Sequence, residues 1–169
     1  MSRWRRVEIY TTFLKLTGEV EGPPEERLTD LVAGPGPVLE LRDAAVEPLS
    51  EHHLLTRGVR CLSVVKAAIG LVCPSDQVGE TARHREAWRE KQRVSVQLNS
   101  QAFSMLGEVH LEPGATLEEH LCSTGTALVP VTNLSALWLS APGEPRAVQR
   151  GYALINCAYL VSFAPAPPR

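Results

Sequence analysis

The sequence predicts a mainly β protein with short helices, built as two tandem small barrels related by internal duplication. Two observations predict it: a repeated block and a period-two alternation of apolar residues. The block at 17–20, Thr-Gly-Glu-Val, with a leucine-containing segment at 26–31, returns about 89 residues later as Leu-Gly-Glu-Val at 106–109 with a similar segment at 115–121. Because apolar and polar residues alternate around both blocks, each copy is predicted to consist mainly of strands.

The elements of each copy follow in a common order. An alternating strand at 7–13 corresponds to one at 96–102, and each leads to a glycine, Gly18 or Gly107. A glycine inside a strand favours a bend or bulge, which would let a long strand wrap around a small barrel. Short helices are predicted at 25–32 and 116–122, where Thr116 suits an N-cap, and their leucines are expected to plug the barrel ends.

The second part of each copy is also predicted to be extended. The alternating segment 38–46 corresponds to 128–136, with one residue inserted before it in the second copy. Each copy then closes on a long apolar segment, at 61–72 and 152–163. The predicted order in each copy is therefore strand, glycine bend, strand, short helix, strand, turn, strand, strand.

Four regions are predicted along the chain: a first small-barrel repeat over 7–73, a charged helical linker over 74–93, a second repeat over 94–163 and a disordered proline-rich tail over 164–169. The linker is rich in helix formers, and Trp88 is its only large apolar residue. A basic nucleic-acid arm is the alternative interpretation of its arginines. Prolines in the last six residues argue against a strand there.

Composition narrows the functional classes. The 17 Lys and Arg residues nearly balance the 19 Asp and Glu residues, so no overall positive field attracts nucleic acid. The four cysteines lack CxxC spacing and are interpreted as reduced core residues. The basic amino terminus leads into an alternating strand rather than a signal peptide, and no apolar run is long enough to cross a bilayer, so a cytoplasmic location is expected.

The closing strands carry a resemblance to a known family. Residues 65–75, from Val65 to Ser75, resemble the second Sm motif of the bacterial RNA chaperone Hfq, and 155–160 is similar in its hydrophobic spacing. The order of the repeated blocks is also similar to an uncharacterised bacterial domain family with a Sm-like barrel pattern. The resemblance implies Sm-like or SH3-like small barrels with core or interface residues in the closing strands, namely Leu62, Val64, Ile69, Leu71, Leu154, Ile155, Leu160 and Val161.

The predicted function is that of a non-catalytic, oligomer-forming interaction scaffold. Modules of roughly 70 residues bury little surface alone, so pairing through strand edges into a homo-oligomer is expected, with an unknown protein partner also possible. No catalytic, cofactor-binding or metal-binding residues are assigned, because the sequence has no nucleophile elbow or phosphate-binding loop. The alternative is Sm/Hfq-like binding of single-stranded RNA, for which the candidate residues are Lys66, Asn156, Arg57, Arg60 and Tyr159.

Overall fold

The computed structural model describes residues 3–23, 25–48, 58–75, 91–122, 128–139 and 145–166. These residues form an antiparallel sheet of ten strands with two short α-helices and two short 3₁₀ helices. The mainly β fold class predicted from period-two alternation is therefore confirmed.

The first half of the sheet contains five strands and one α-helix. Its elements are β1 (Arg3–Tyr10), β2 (Leu14–Gly22), α1 (Leu28–Ala33), β3 (Val38–Pro48), β4 (Val59–Val65), the 3₁₀ helix η1 (Lys66–Ala68) and β5 (Leu71–Pro74). The second half repeats this order. Its elements are β6 (Gln92–Ser100), β7 (Phe103–Leu111), α2 (Leu117–Cys122), β8 (Leu128–Trp138), β9 (Arg146–Asn156), η2 (Cys157–Tyr159) and β10 (Leu160–Pro165).

The strand order across the sheet is β10-β6-β7-β8-β9-β5-β1-β2-β3-β4. In each half, the first four strands form a meander and the fifth strand returns to pair with the first. The two halves meet where β5 pairs with β9. This arrangement places β4 at one outer edge of the sheet and β10 at the other.

Residue pairing agrees between the two halves. Val7 faces Gly18 across β1 and β2, and 89 residues later Val96 faces Gly107 across β6 and β7. The next two strands of each half agree as well. β3 pairs with β4 in the same register as β8 pairs with β9; residue numbers in β8 are 90 higher than in β3, and those in β9 are 91 higher than in β4. The repeat in the sequence therefore corresponds to a repeat in strand pairing.

The predicted glycine bulges are present in both halves. Pairing with the next strand shifts at Gly18 in β2 and at Gly107 in β7. A Cβ atom on Gly107 would lie 2.4 Å from the Val131 Cγ1 atom, so close approach of the neighbouring strand requires glycine. The strand opposite each bulge contains a residue with positive φ, Asp43 at 46° and Asn133 at 50°. Aspartate and asparagine tolerate this left-handed conformation better than most residues.

Each helix covers an apolar core. Helix α1 begins at Leu28, three residues later than predicted, and buries Val32 against the core of the first half. Helix α2 buries Leu121 in the core of the second half. Thr116 forms a capping box with Glu119, because the Glu119 amide donates to Thr116 Oγ1 (3.2 Å) and the Thr116 amide donates to Glu119 Oε2 (2.8 Å). Each short helix therefore contributes a buried apolar side chain to the core of its own half.

The predicted ends of the linker are wrong. Pro74 belongs to β5, where it pairs with Val7, and both Gln92 and Arg93 belong to β6. The strands extend beyond the apolar runs because backbone pairing with β1 and β7 continues through polar residues. Most of the predicted linker helix, at 76–90, lies outside the described residues.

The predicted start of the disordered tail is also wrong. Pro165 and the residue before it belong to β10 and pair with β6, and the Ala166 amide donates to the Ser95 carbonyl (2.8 Å). A proline lacks a backbone N–H but is compatible with a strand at the edge of a sheet. The last three residues, 167–169, lie outside the described part of the chain.

Candidate functional site

The joint between the two halves is a short antiparallel pairing that is buried on both faces. Leu71 of β5 faces Ile155 of β9 on one side, and both side chains belong to the core of the second half. Val72 faces Leu154 on the other side, and both belong to the core of the first half. Each core therefore receives side chains from the opposite half, which explains the continuous apolar runs in these two strands.

Asn156 closes one end of this joint. Its side chain is only 6% exposed, and its Nδ2 group donates to the Ile69 carbonyl (2.8 Å). Its backbone amide donates to the Gly70 carbonyl (3.0 Å), and its Oδ1 atom accepts from the Ala158 amide (3.0 Å). The Tyr159 hydroxyl donates to the Ala67 carbonyl nearby. These bonds connect the segment after β9 to the backbone that precedes β5.

A partly buried ion pair also crosses the joint. Arg150 of β9 donates to the Glu8 carboxylate of β1, and the Tyr10 hydroxyl donates to the same carboxylate (2.9 Å). Burial by itself raises the pKa of Glu8, but the hydrogen bonds from Arg150 and Tyr10 and the positive charge of Arg150 outweigh it. The pKa of Glu8 therefore lies below its ordinary value. Sequence reasoning missed this pair, because its two residues are 142 positions apart.

The ring of Tyr10 lies in the core of the second half. It makes edge-to-face contacts with Phe103 (centroids 5.9 Å apart) and with Trp138 (5.3 Å), while those two rings stack on each other. Such aromatic contacts add to the stabilisation from buried area alone. Burial and the neighbouring Glu8 carboxylate both raise the pKa of Tyr10 well above its usual value, so its hydroxyl stays protonated and available as a donor.

The two outer edges of the sheet correspond to the two strands of the joint. By the agreement of register, β4 corresponds to β9, and β10 corresponds to β5. Val65 occupies the position of Asn156, and Val161 occupies the position of Gly70. Both valines are exposed, Val65 at 54% and Val161 at 72%. At the joint, the fifth strand of the first half (β5) pairs with the fourth strand of the second half (β9). The fourth strand of the first half (β4) and the fifth strand of the second half (β10) lie at the outer edges.

At two positions the outer edges carry serine where the joint carries leucine. Ser63 of β4 corresponds to Leu154, and its hydroxyl donates to Glu40 Oε1 (2.6 Å). Ser162 of β10 corresponds to Leu71, and its hydroxyl accepts from the Asn99 amide group (3.1 Å). Both serines are exposed, whereas the leucines of the joint are fully buried.

The residues predicted as core or interface divide into three groups. Val64, Ile69, Leu71, Leu154 and Ile155 are buried in the two cores. Leu62 and Leu160 are half-buried and pack against those cores. Val161 is exposed on the outer edge strand β10 and is not a core residue.

Three of the candidate RNA-binding residues lie around the segment 66–69, and the side chain of each donates to a backbone carbonyl. Asn156 and Tyr159 bond to the backbone at the joint. The Lys66 ammonium donates to the Gly34 carbonyl (2.5 Å), just beyond the end of α1. Arg60 is exposed on β4, whereas Arg57 lies outside the described residues. RNA binding stays a prediction of the resemblance.

The cysteines differ from the prediction that all four are core residues. Cys73 is buried and Cys157 is half-buried, but Cys61 and Cys122 are exposed. Cys61 is exposed because it lies on the outer side of β4, where its thiol donates to Glu40 (3.2 Å). This hydrogen bond raises the pKa of Cys61, and burial raises the pKa of Cys73 to about 12. Both sulfurs are therefore held as thiols at neutral pH.

Two further features complete the description. The described part of the chain contains no group of three or more His, Cys, Asp or Glu side chains that could hold a metal ion. No helix among the described residues is long and apolar enough to cross a membrane.

Comparison with protein-family models, with curated proteins and with solved structures finds no match.

Proposed function

We propose that the protein is a non-catalytic interaction scaffold of two Sm-like small barrels, which assembles into homo-oligomers through the outer edges of its sheet. The barrel interpretation is supported by the returning fifth strand, the glycine bulge, the separate core and the covering helix in each half. One observation supports the assembly above the others. The two edge strands, β4 and β10, correspond to β9 and β5, and those two strands already pair with each other at the joint.

The joint supplies a register for this assembly. At the joint, Val72 faces Leu154. The 91-residue offset converts this pair into Phe163 of one copy facing Ser63 of the next copy. The bond from the Asn156 amide to the Gly70 carbonyl corresponds to a bond from the Val65 amide to a Val161 carbonyl. A contact between unlike edges is heterologous, so repeating it produces either a closed ring or an open chain of copies.

The direction of the Val65 amide favours this contact. The Lys66 amide donates inward to the Pro37 carbonyl of the strand beside it (2.9 Å). Successive N–H groups of an antiparallel strand point to opposite sides, so the Val65 N–H points to the outer edge. Because serines replace the leucines of the joint, the contact between copies buries less apolar surface than the joint, and association should depend on concentration.

Replacing Val65 with proline tests the assembly with little disturbance of the fold. Val65 has a φ angle of −67°, which is the value that proline prefers, and its N–H makes no bond to the neighbouring strand in this register. Val65→Pro removes the donor that the next copy needs. Val65→Ala is the matched control, because it also removes the exposed side chain but keeps the N–H.

Sedimentation velocity over a wide concentration range measures the outcome. We expect the wild-type protein and Val65→Ala to associate, and we expect Val65→Pro to associate roughly tenfold more weakly, since one net hydrogen bond is lost and the proline ring obstructs the edge. Equal association of the two variants would contradict pairing through β4. A wild-type protein that stays monomeric at the highest concentration would contradict the assembly altogether.

A further inference from the structure

Two of the four cysteines lie at helix ends in the second half. Cys122 is the last residue of α2 and is exposed, whereas Cys157 is the first residue of η2 and is half-buried. Leu121, which precedes Cys122 in the helix, is buried in the core of the second half, and Cys157 packs against that same core. The two thiols therefore border one core, although they are 35 positions apart in the sequence.

The first half shows how close these two positions come to each other. Cys122 corresponds to Ala33, the last residue of α1. Cys157 corresponds to Lys66, the first residue of η1. The Lys66 ammonium donates to the carbonyl of Gly34, which directly follows α1 (2.5 Å). In the first half, a side chain therefore links the start of the 3₁₀ helix to the end of the α-helix, and in the second half the same two places carry thiols.

The two thiols also act on each other through space. Burial raises the pKa of Cys157 to about 11, and negative charge on Cys122 adds to this rise. Charges at the surface that are more than about 8–10 Å apart are largely screened by salt, so the effect indicates neighbouring sulfurs. The other two cysteines differ, because the pKa of Cys61 is raised by its bond to Glu40 and that of Cys73 by burial.

We propose that Cys122 and Cys157 form an oxidation site, at which a peroxide converts the two thiols reversibly into a disulfide. The exposed Cys122, as thiolate, attacks one oxygen of hydrogen peroxide, which gives a sulfenic acid and hydroxide. The Cys157 thiol then attacks the sulfenic sulfur, and water leaves. The hydroxide takes up the proton that Cys122 had lost, so two thiols and one hydrogen peroxide give one disulfide and two waters. A small thiol reverses the oxidation by exchange.

The disulfide connects α2 to the segment that closes the joint. A disulfide joins Cα atoms about 4.4–6.8 Å apart, and both cysteines lie at helix ends, where the backbone adjusts most easily. The 3₁₀ helix η2 also contains Tyr159, whose hydroxyl donates to the Ala67 carbonyl of the first half. Because the bond closes a loop of about 35 residues, it restricts the unfolded chain and stabilises the folded one. The site does not depend on the proposed assembly through the sheet edges.

Peroxide treatment of the full chain tests the site. Dilute folded protein is treated with hydrogen peroxide, the remaining thiols are alkylated, and its peptides are mapped by mass spectrometry without reduction. We expect the peptide pair that joins Cys122 to Cys157 to be roughly tenfold more abundant than any other pair, because the fold holds these two thiols together. We expect this preference to disappear when the protein is oxidised in urea. A thiol reductant should restore both thiols.

Three variants complete the experiment. Cys157→Ser leaves the Cys122 sulfenic acid without a thiol to condense with, so its labelling by a dimedone-based probe should increase several-fold. Cys122→Ser changes an exposed residue and should abolish both the disulfide and the labelling, even if Cys157→Ser folds poorly. Cys61→Ser is the matched control, because it also removes an exposed thiol and should leave the linked peptide unchanged. A map without the 122–157 pair overturns the proposal, as does a disulfide that lowers the melting temperature of the protein.

Discussion

Asn156 offers the most direct test of how the two halves are held together. Val65 occupies the corresponding position in the first half, so Asn156→Val introduces a residue that this backbone already accepts. The substitution removes the bond to the Ile69 carbonyl (2.8 Å) and the bond from the Ala158 amide (3.0 Å). It keeps the backbone bond to the Gly70 carbonyl.

The expected cost follows from burial. A typical hydrogen bond contributes about 1 kcal/mol net, and a buried group left without a partner costs about 1–3 kcal/mol. Because Asn156 is 6% exposed, water cannot readily replace both bonds. We therefore expect the free energy of unfolding to fall by about 2–4 kcal/mol. In a protein of this size, that corresponds to a decrease in melting temperature of roughly 5–15 °C.

Urea denaturation followed by circular dichroism measures this change. Ser162→Ala is the control, because it removes the hydrogen bond of an exposed side chain and should change the free energy of unfolding by less than about 0.5 kcal/mol. A loss below about 1 kcal/mol for Asn156→Val would show that the asparagine side chain does not hold the joint. A biphasic transition would show instead that the two halves unfold separately.

Three other predictions concern single side chains. Gly107→Ala should lower the free energy of unfolding by about 1–3 kcal/mol because its Cβ meets the facing strand, whereas Gly151→Ala, with open space around it, should not; equal melting temperatures would contradict this. Burial raises the pKa of Glu8, but the hydrogen bonds from Arg150 and Tyr10 lower it by more, so the pKa lies below its ordinary value. Its stabilisation is therefore complete above its ordinary pKa and is lost as the pH falls through the lower pKa of the folded protein. Glu8→Gln should remove that part of the fall in the free energy of unfolding at acidic pH. If the free energy of unfolding depends on pH in the same way in both proteins, Glu8 does not contribute to this fall. Glu40→Gln should accelerate thiol labelling of Cys61, because the hydrogen bond to Glu40 raises the pKa of that thiol; an unchanged rate would exclude this cause.

Much of each half could be predicted because it depends on local pattern. Alternation of apolar residues predicts the strands, and the repeated glycines predict the bulges at Gly18 and Gly107. Thr116 with an acidic residue three positions later predicts the start of α2. The sequence was less informative about ends of elements, such as Pro165, because strand ends depend on whether a neighbour remains available for pairing.

The exposed cysteines show why some predictions failed. Cys61 lies in an apolar run, but only every second residue of a strand faces the core, and the direction of each side chain depends on the register. The register places Leu62 toward the core and Cys61 toward Glu40. Composition of the run alone does not contain that information.

The two-fold repetition of the chain, the strand-rich character of each copy and its bulges and short helices all follow from local patterns of residues. Three contacts are visible only in the folded chain: β5 pairs with β9, Glu8 pairs with Arg150, and Asn156 binds the opposite half. The difference arises from the distance along the chain over which each preference acts. Backbone propensity and alternation act over a few residues, whereas strand pairing depends on which edges and apolar faces come together after the chain has folded.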